Sequence, residues 1–100
     1  MNEKERYQKS RPLGDIVQNM MKAYGLEDKM LEMSVIEAWP ELMGKAVAYR
    51  TTQLSFKNRR LHIHLNSSVM REELLFGKEI IIERVNDHAG KSIIDDVWFE

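Results

Sequence analysis

Residues 60–86 read RLHIHLNSSVMREELLFGKEIIIERVN, and the hydrophobic period changes in the middle of this stretch. Leu61, Ile63 and Leu65 alternate with His62, His64 and Asn66. Period two is the mark of a strand with one buried face. Beyond Asn66-Ser67-Ser68 the period lengthens: Met70, Leu74, Gly77, Ile81 and Val85 fall on one helical stripe, with Ile80 beside it. The spacing predicts a helix over about 68–88, closed by Ala89-Gly90. Ser67 or Ser68 is placed to cap its first free amides, and Glu72 or Glu73 suggests a capping box. A strand that feeds straight into a helix packing back on its sheet is the centre of a small α+β domain.

The same periodicities extend outward from this stretch. Before it, Thr52, Leu54 and Phe56 alternate with Gln53, Ser55 and Lys57, which predicts a strand over about 51–57. Asn58-Arg59 then reads as a two-residue hairpin turn, since Asn tolerates positive φ. Earlier still, Leu13, Ile16, Val17, Met20 and Tyr24 mark a first helix, with Pro12 in its first turn and Gly25 as its left-handed cap. A second helix starts near Glu27 or Asp28. Pro40 lacks an N–H and crowds the carbonyl of Ile36, so this helix kinks there and reaches about Ala48. The alternative ends it at Gly44 and opens a strand at Lys45. Trp39 lies within the apolar stripe and reads as a core anchor. A last strand covers about 92–99, apolar at Ile93, Ile94, Val97 and Phe99. The predicted order is α-α-β-β-α-β: two layers, a three-stranded sheet with helices mainly on one face. Residues 1–11 are polar and read as an arm, and 12–100 as one domain.

Composition narrows the functional classes. The chain has 100 residues, a net charge of −1 and no cysteine, which excludes disulfides and thiolate metal sites. No apolar run is long enough to span a membrane, and no secretory signal opens the chain, so a cytoplasmic place is expected. The charge is uneven. Between Glu41 and Glu72 there is no Asp or Glu, while Lys45, Arg50, Lys57, Arg59, Arg60 and Arg71 fall in that window. Such a window reads either as a footprint for nucleic acid or as a solvated surface.

Catalytic signals are missing. There is no glycine-rich phosphate loop, and Ser67-Ser68 is explained by capping. His62 and His64 point the same way and can begin a metal site, but no third ligand is evident, with His88 left open. No metal, cofactor or small-molecule substrate is expected. Asp95 and Asp96 are adjacent on a strand and therefore point to opposite faces. What remains is the open sheet face. There His62, His64, Gln53, Ser55 and Lys57 face outward, and Trp98 either joins them or wraps into the core. Rings beside cations form a platform for stacked bases. Phe76 lies off the core stripe beside Glu72, Glu79 and Glu83, which suits a protein partner.

Trp39-Pro40-Glu41-Leu42-Met43-Gly44, then Val47-Ala48 and Thr51, resembles the opening signature of the DciA family. So do Leu61-His62-Ile63-His64-Leu65-Asn66-Ser67-Ser68, Glu73-Leu74, Val85-Asn86 with Gly90, and the close with Val97 and Phe99. The resemblance spans about Pro12 to Phe99. It implies a KH-like domain that works in bacterial DNA replication, binding the replicative helicase and helping to place it on single-stranded DNA without ATPase machinery of its own. An RNA-binding role has also been described for the family on fold grounds. Arg50, Lys57, Arg59, Arg60, His62, His64, Arg71 and Trp98 are then the expected nucleic-acid residues. Phe76, Glu72 and Glu79 are the expected partner-binding ones. Two departures stand out. The Gly-X-X-Gly clamp of a true KH domain is missing. The chain also stops at Glu100 with an acidic end where many relatives carry a basic tail, so contacts depending on that tail are not carried over.

Overall fold

Pro40 and Gly44 interrupt the helical first half of the chain in the computed structural model, which describes residues 11–100. The expected arm, residues 1–11, lies outside the described residues except for Arg11. The chain divides into two units, residues 1–30 and Leu31–Glu100. In the first, α1 (Arg11–Ala23) ends at Gly25, whose φ of +70° suits a left-handed cap. The Gly25 amide donates to Lys22 O at 3.1 Å. Helix α2 (Leu26–Glu37) follows, with Glu27 and Asp28 in its first turn, where carboxylates suit the helix dipole.

In the second unit, the expected kinked helix through Ala48 is three segments. Helix α2 stops at Glu37, α3 is Trp39–Met43 and α4 is Lys45–Arg50. Pro40 falls in the first turn of α3, where a missing N–H is no loss. Gly44 separates α3 from α4 at φ +88°, ψ 156°, a conformation that side chains oppose. Helix α4 runs to Arg50, so the alternative of a strand from Lys45 is overturned as well. Trp39 is buried, and its Nε1 donates to Thr51 Oγ1 at 3.0 Å. That hydroxyl donates in turn to Val47 O at 2.7 Å, tying α4 to the start of the sheet.

Strand β1 (Thr51–Lys57) pairs antiparallel with β2 (Arg60–Leu65). Asn58 and Arg59 have φ of 54° and 60°, both positive, as a two-residue type I′ turn requires. A bulge between Thr51 and Gln53 turns Thr52 out to solvent, where its hydroxyl donates to His64 O. Ser67 Oγ then accepts from Met70 N at 3.2 Å and starts α5 (Ser68–Leu75). The residue three past the cap is Met70, so no capping box forms with Glu72 or Glu73. The expected long third helix is broken. At Phe76-Gly77 the chain turns, the Gly77 amide donating to Leu74 O, and α6 (Lys78–Ala89) begins anew. Glycine inside a helix costs about 1 kcal/mol relative to alanine, which favours the break there. Gly90 closes α6 at φ +79°.

The third strand is shorter than expected: β3 is Asp96–Phe99 and lies parallel to β2. Ile93 and Ile94 are buried, but both their amides donate to Asn86 Oδ1 rather than to a strand, while Asn86 Nδ2 donates to Ile94 O. The sheet order is β1-β2-β3, and the fold is α+β with a three-stranded mixed sheet, as the sequence implied. Leu61, Ile63, Leu65 and Val97 bury one face against Ile81, Val85, Val35, Trp39, Ile93 and Ile94. A fully buried side chain of this size contributes about 1.5–3 kcal/mol, so this layer fixes which face of the sheet turns inward.

Candidate nucleic-acid interface

Alternation along β2 sends Arg60, His62 and His64 to the face opposite the core, and the strand register lines them up with neighbours on both sides. Lys57, Arg60 and Asp96 form one row; Ser55, His62 and Trp98 form the next. Gln53 and His64 form a third, with the Glu100 carboxylate beside His64. Trp98 is 44% exposed and joins this face rather than the core.

The centre of the face is the Arg60–Trp98 pair. The Arg60 guanidinium lies over the indole, 3.9 Å from its centroid. His62 meets the same indole edge-on, with ring centroids 5.6 Å apart. Asp96 orients the indole, accepting from Trp98 Nε1 at 3.0 Å and from Val97 N at 2.8 Å. Its carboxylate also approaches Arg60 Nε at 3.8 Å and Lys78 Nζ at 3.9 Å, both too long for hydrogen bonds. Arg60 Nε is buried with no hydrogen-bond partner. The Val97 amide bond chiefly lowers the Asp96 pKa, with Trp98, Lys78 and Arg60 acting the same way.

The other predicted cations are engaged differently. Arg59 closes its fork on Asp95, with Nε to Oδ2 at 2.8 Å and Nη2 to Oδ1 at 3.0 Å, and it also reaches Ser92 O and Oγ. The Arg59 hydrogen bonds hold the Asp95 carboxyl below the usual carboxylate range. Arg71 Nη1 donates to Leu65 O at 2.8 Å and so fastens α5 to the end of β2. Arg50, at the end of α4, lies over the Tyr49 ring at 5.5 Å. His62 Nδ1 donates to Glu100 Oε1 at 2.9 Å, and His64 Nε2 lies 3.0 Å from Oε2. The His62 bond, with the charge of both rings, lowers the Glu100 pKa. His88 is placed elsewhere, with Nε2 3.0 Å from Ser34 Oγ. No group of three or more His, Cys, Asp or Glu among the described residues is arranged to hold a metal ion.

The structure therefore gathers Lys57, Arg60, His62, His64 and Trp98 on one surface and gives Arg59 and Arg71 contacts that brace the fold. Sequence reasoning missed Asp96, Glu100 and Lys78 as members of the site. The signal was present: Asp96, Trp98 and Glu100 are spaced by two and share a face. Phe76 is apart from this surface, in the turn between α5 and α6, and is 95% exposed. Glu72, Glu79 and Glu83 are exposed as well.

A comparison with protein-family models matches residues 12–99 to the family described as "Dna[CI] antecedent, DciA". No curated protein matches the chain, and no solved structure does.

Proposed function

Because the chain belongs to the DciA family, whose membership supports a helicase-loader-like role in DNA replication, we propose that it is a non-enzymatic adaptor that engages the replicative helicase and binds single-stranded nucleic acid on its open sheet face. Arg60 and Trp98 carry this reading. A partly exposed indole, braced by Asp96 and covered on one side by a guanidinium, offers a base a ring to stack on and its phosphate a cation beside it. Stacking of this kind is worth about 1–3 kcal/mol per base. Lys57, paired across the strands with Arg60, adds charge at the same end. The work belongs in the cytoplasm, at the replicating chromosome. No helix among the described residues is long and apolar enough to cross a membrane.

Fluorescence anisotropy with a labelled single-stranded oligonucleotide at low salt tests the proposal. Arg60→Ala and Trp98→Ala should each weaken binding by about five-fold or more. Equal affinity of both variants and the wild type would remove the sheet face from the function. Running DNA and RNA oligomers of one sequence side by side separates the two nucleic acids.

A second reading rests on Phe76. A phenylalanine that is 95% exposed and has acidic side chains near it in sequence suits an apolar pocket rimmed by Lys or Arg on a protein partner. Co-precipitation with the replicative helicase should fall markedly for Phe76→Ala, with Glu72 and Glu79 charge reversals weakening it further. Undiminished capture would exclude this surface.

A further inference from the structure

Each carboxylate on the outer sheet face lies against basic side chains that would otherwise be available to phosphate. Glu100 sits between His62 and His64, and Asp96 stands within 4 Å of Arg60 and Lys78. Below the hairpin turn, Asp95 fills the fork of Arg59. The contacts differ in kind. Arg59, His62 and His64 direct donor atoms at carboxylate oxygens, whereas Arg60 meets Asp96 only at long range. The short hydrogen bonds to Asp96 come from Val97 N and Trp98 Nε1 instead, one on each oxygen. Arg60 thus makes no short bond to Asp96, its Nε is buried without a partner, and its guanidinium is held against the ring on which a base would stack.

We infer that Asp96 and Glu100 act as built-in competitors of nucleic-acid phosphate on this face, Asp96 beside Arg60 and Lys78 and Glu100 beside His62 and His64, so that Lys57 and a screened Arg60 are left to meet phosphate next to a base stacked on Trp98. The inference rests on the nucleic-acid reading above and gives it a specificity. A face whose basic side chains are partly screened from within gains less from the dense charge of a duplex. It gains from an unpaired base that can leave its stack and lie on the indole. Exposed ion pairs are worth only about 0–1 kcal/mol, so they can be displaced, but each displacement subtracts from the phosphate contact that replaces it.

Salt dependence reads this directly. For single strands, log K falls with log salt by about 0.7 for each phosphate neutralised. Labelled oligothymidylate is titrated at several salt concentrations against the wild type, Asp96→Asn, Glu100→Gln and the double variant. Glu41→Gln, on α3, controls for loss of one negative charge. The wild type should give a shallow slope, no steeper than about −1.4, corresponding to at most two phosphates. Each single variant should bind several-fold tighter at low salt with a steeper slope. The double variant should give the steepest slope of the set, with Glu41→Gln unchanged. The asparagine carbonyl can still accept from Trp98 Nε1, with loss of the bond from the Val97 amide, and circular dichroism melting verifies each fold. Should Asp96→Asn unfold, Glu100→Gln carries the test alone. Variants no tighter than a wild type that does bind would overturn the inference and leave the nucleic-acid reading standing. No binding by any of the proteins would overturn both. Tight binding by the variants alone would establish the competition at its strongest.

Discussion

Single residues carry more of this structure than their positions in sequence suggest. Asn86 is the clearest case. Its side chain accepts from Ile93 N and Ile94 N and donates to Ile94 O, and so replaces a strand partner for a buried segment. Asn86→Ala leaves those groups unsatisfied and should lower stability by about 1–3 kcal/mol in urea denaturation. A loss below a few tenths of a kcal/mol would mean that the segment finds other partners. Arg59 is a second case. Its left-handed backbone costs roughly 1–2 kcal/mol. The fork on Asp95 and Ser92 acts against that cost, joined by the Asp95 amide, which donates to Arg59 O at 2.7 Å. Nothing in the residue order around Asn58-Arg59 discloses a partner 36 positions away.

At the scale of elements, two glycines break helices for different reasons, and mutation should separate them. Gly44 holds φ +88° between α3 and α4, where any side chain is strained. Gly77 has φ −117° and ψ 20°, and an added Cβ would meet only Leu74 O at 3.8 Å, an ordinary contact. Gly44→Ala should therefore destabilise by about 1 kcal/mol or more. Gly77→Ala should be neutral or stabilise by up to about 1 kcal/mol, through the lower entropy of the unfolded chain. Thermal melts of the two variants decide it, and equal losses would contradict the distinction. The helical stripes from Val35 to Val47 and from Met70 to Val85 were legible because 3.6-residue spacing survives a local break. The interruption near Pro40 was legible too, from the missing N–H of proline, but the break at Phe76 was not, because spacing alone does not register a change of helix axis.

For the whole molecule, the carboxylates that brace the sheet set the response to acid. Asp95, Asp96 and Glu100 all have pKa values lowered by folding, chiefly through hydrogen bonds from Arg59, the Val97 amide and His62 respectively. A lowered folded pKa gives stability that is complete above the unfolded value and disappears as pH falls through the folded one. The melting temperature should thus be level from pH 7 to about 5 and decline below about 4. Asp95→Asn should melt lower at neutral pH and show a shallower decline. A transition centred near pH 6 would instead assign the response to histidine. By itself, the sequence determined the α+β class, the buried face of β2, the hairpin turn and the family, since all of these follow from local periodicity and residue order. Only the tertiary structure decided that Trp98 faces outward, that Arg59 and Arg71 brace the fold, and that Asp96 and Glu100 sit among the cations. Apart from the Arg71 contact, which joins α5 to the end of β2, these depend on the parallel register of β3 on β2. That register arises from a contact between segments more than thirty residues apart, which no local pattern encodes.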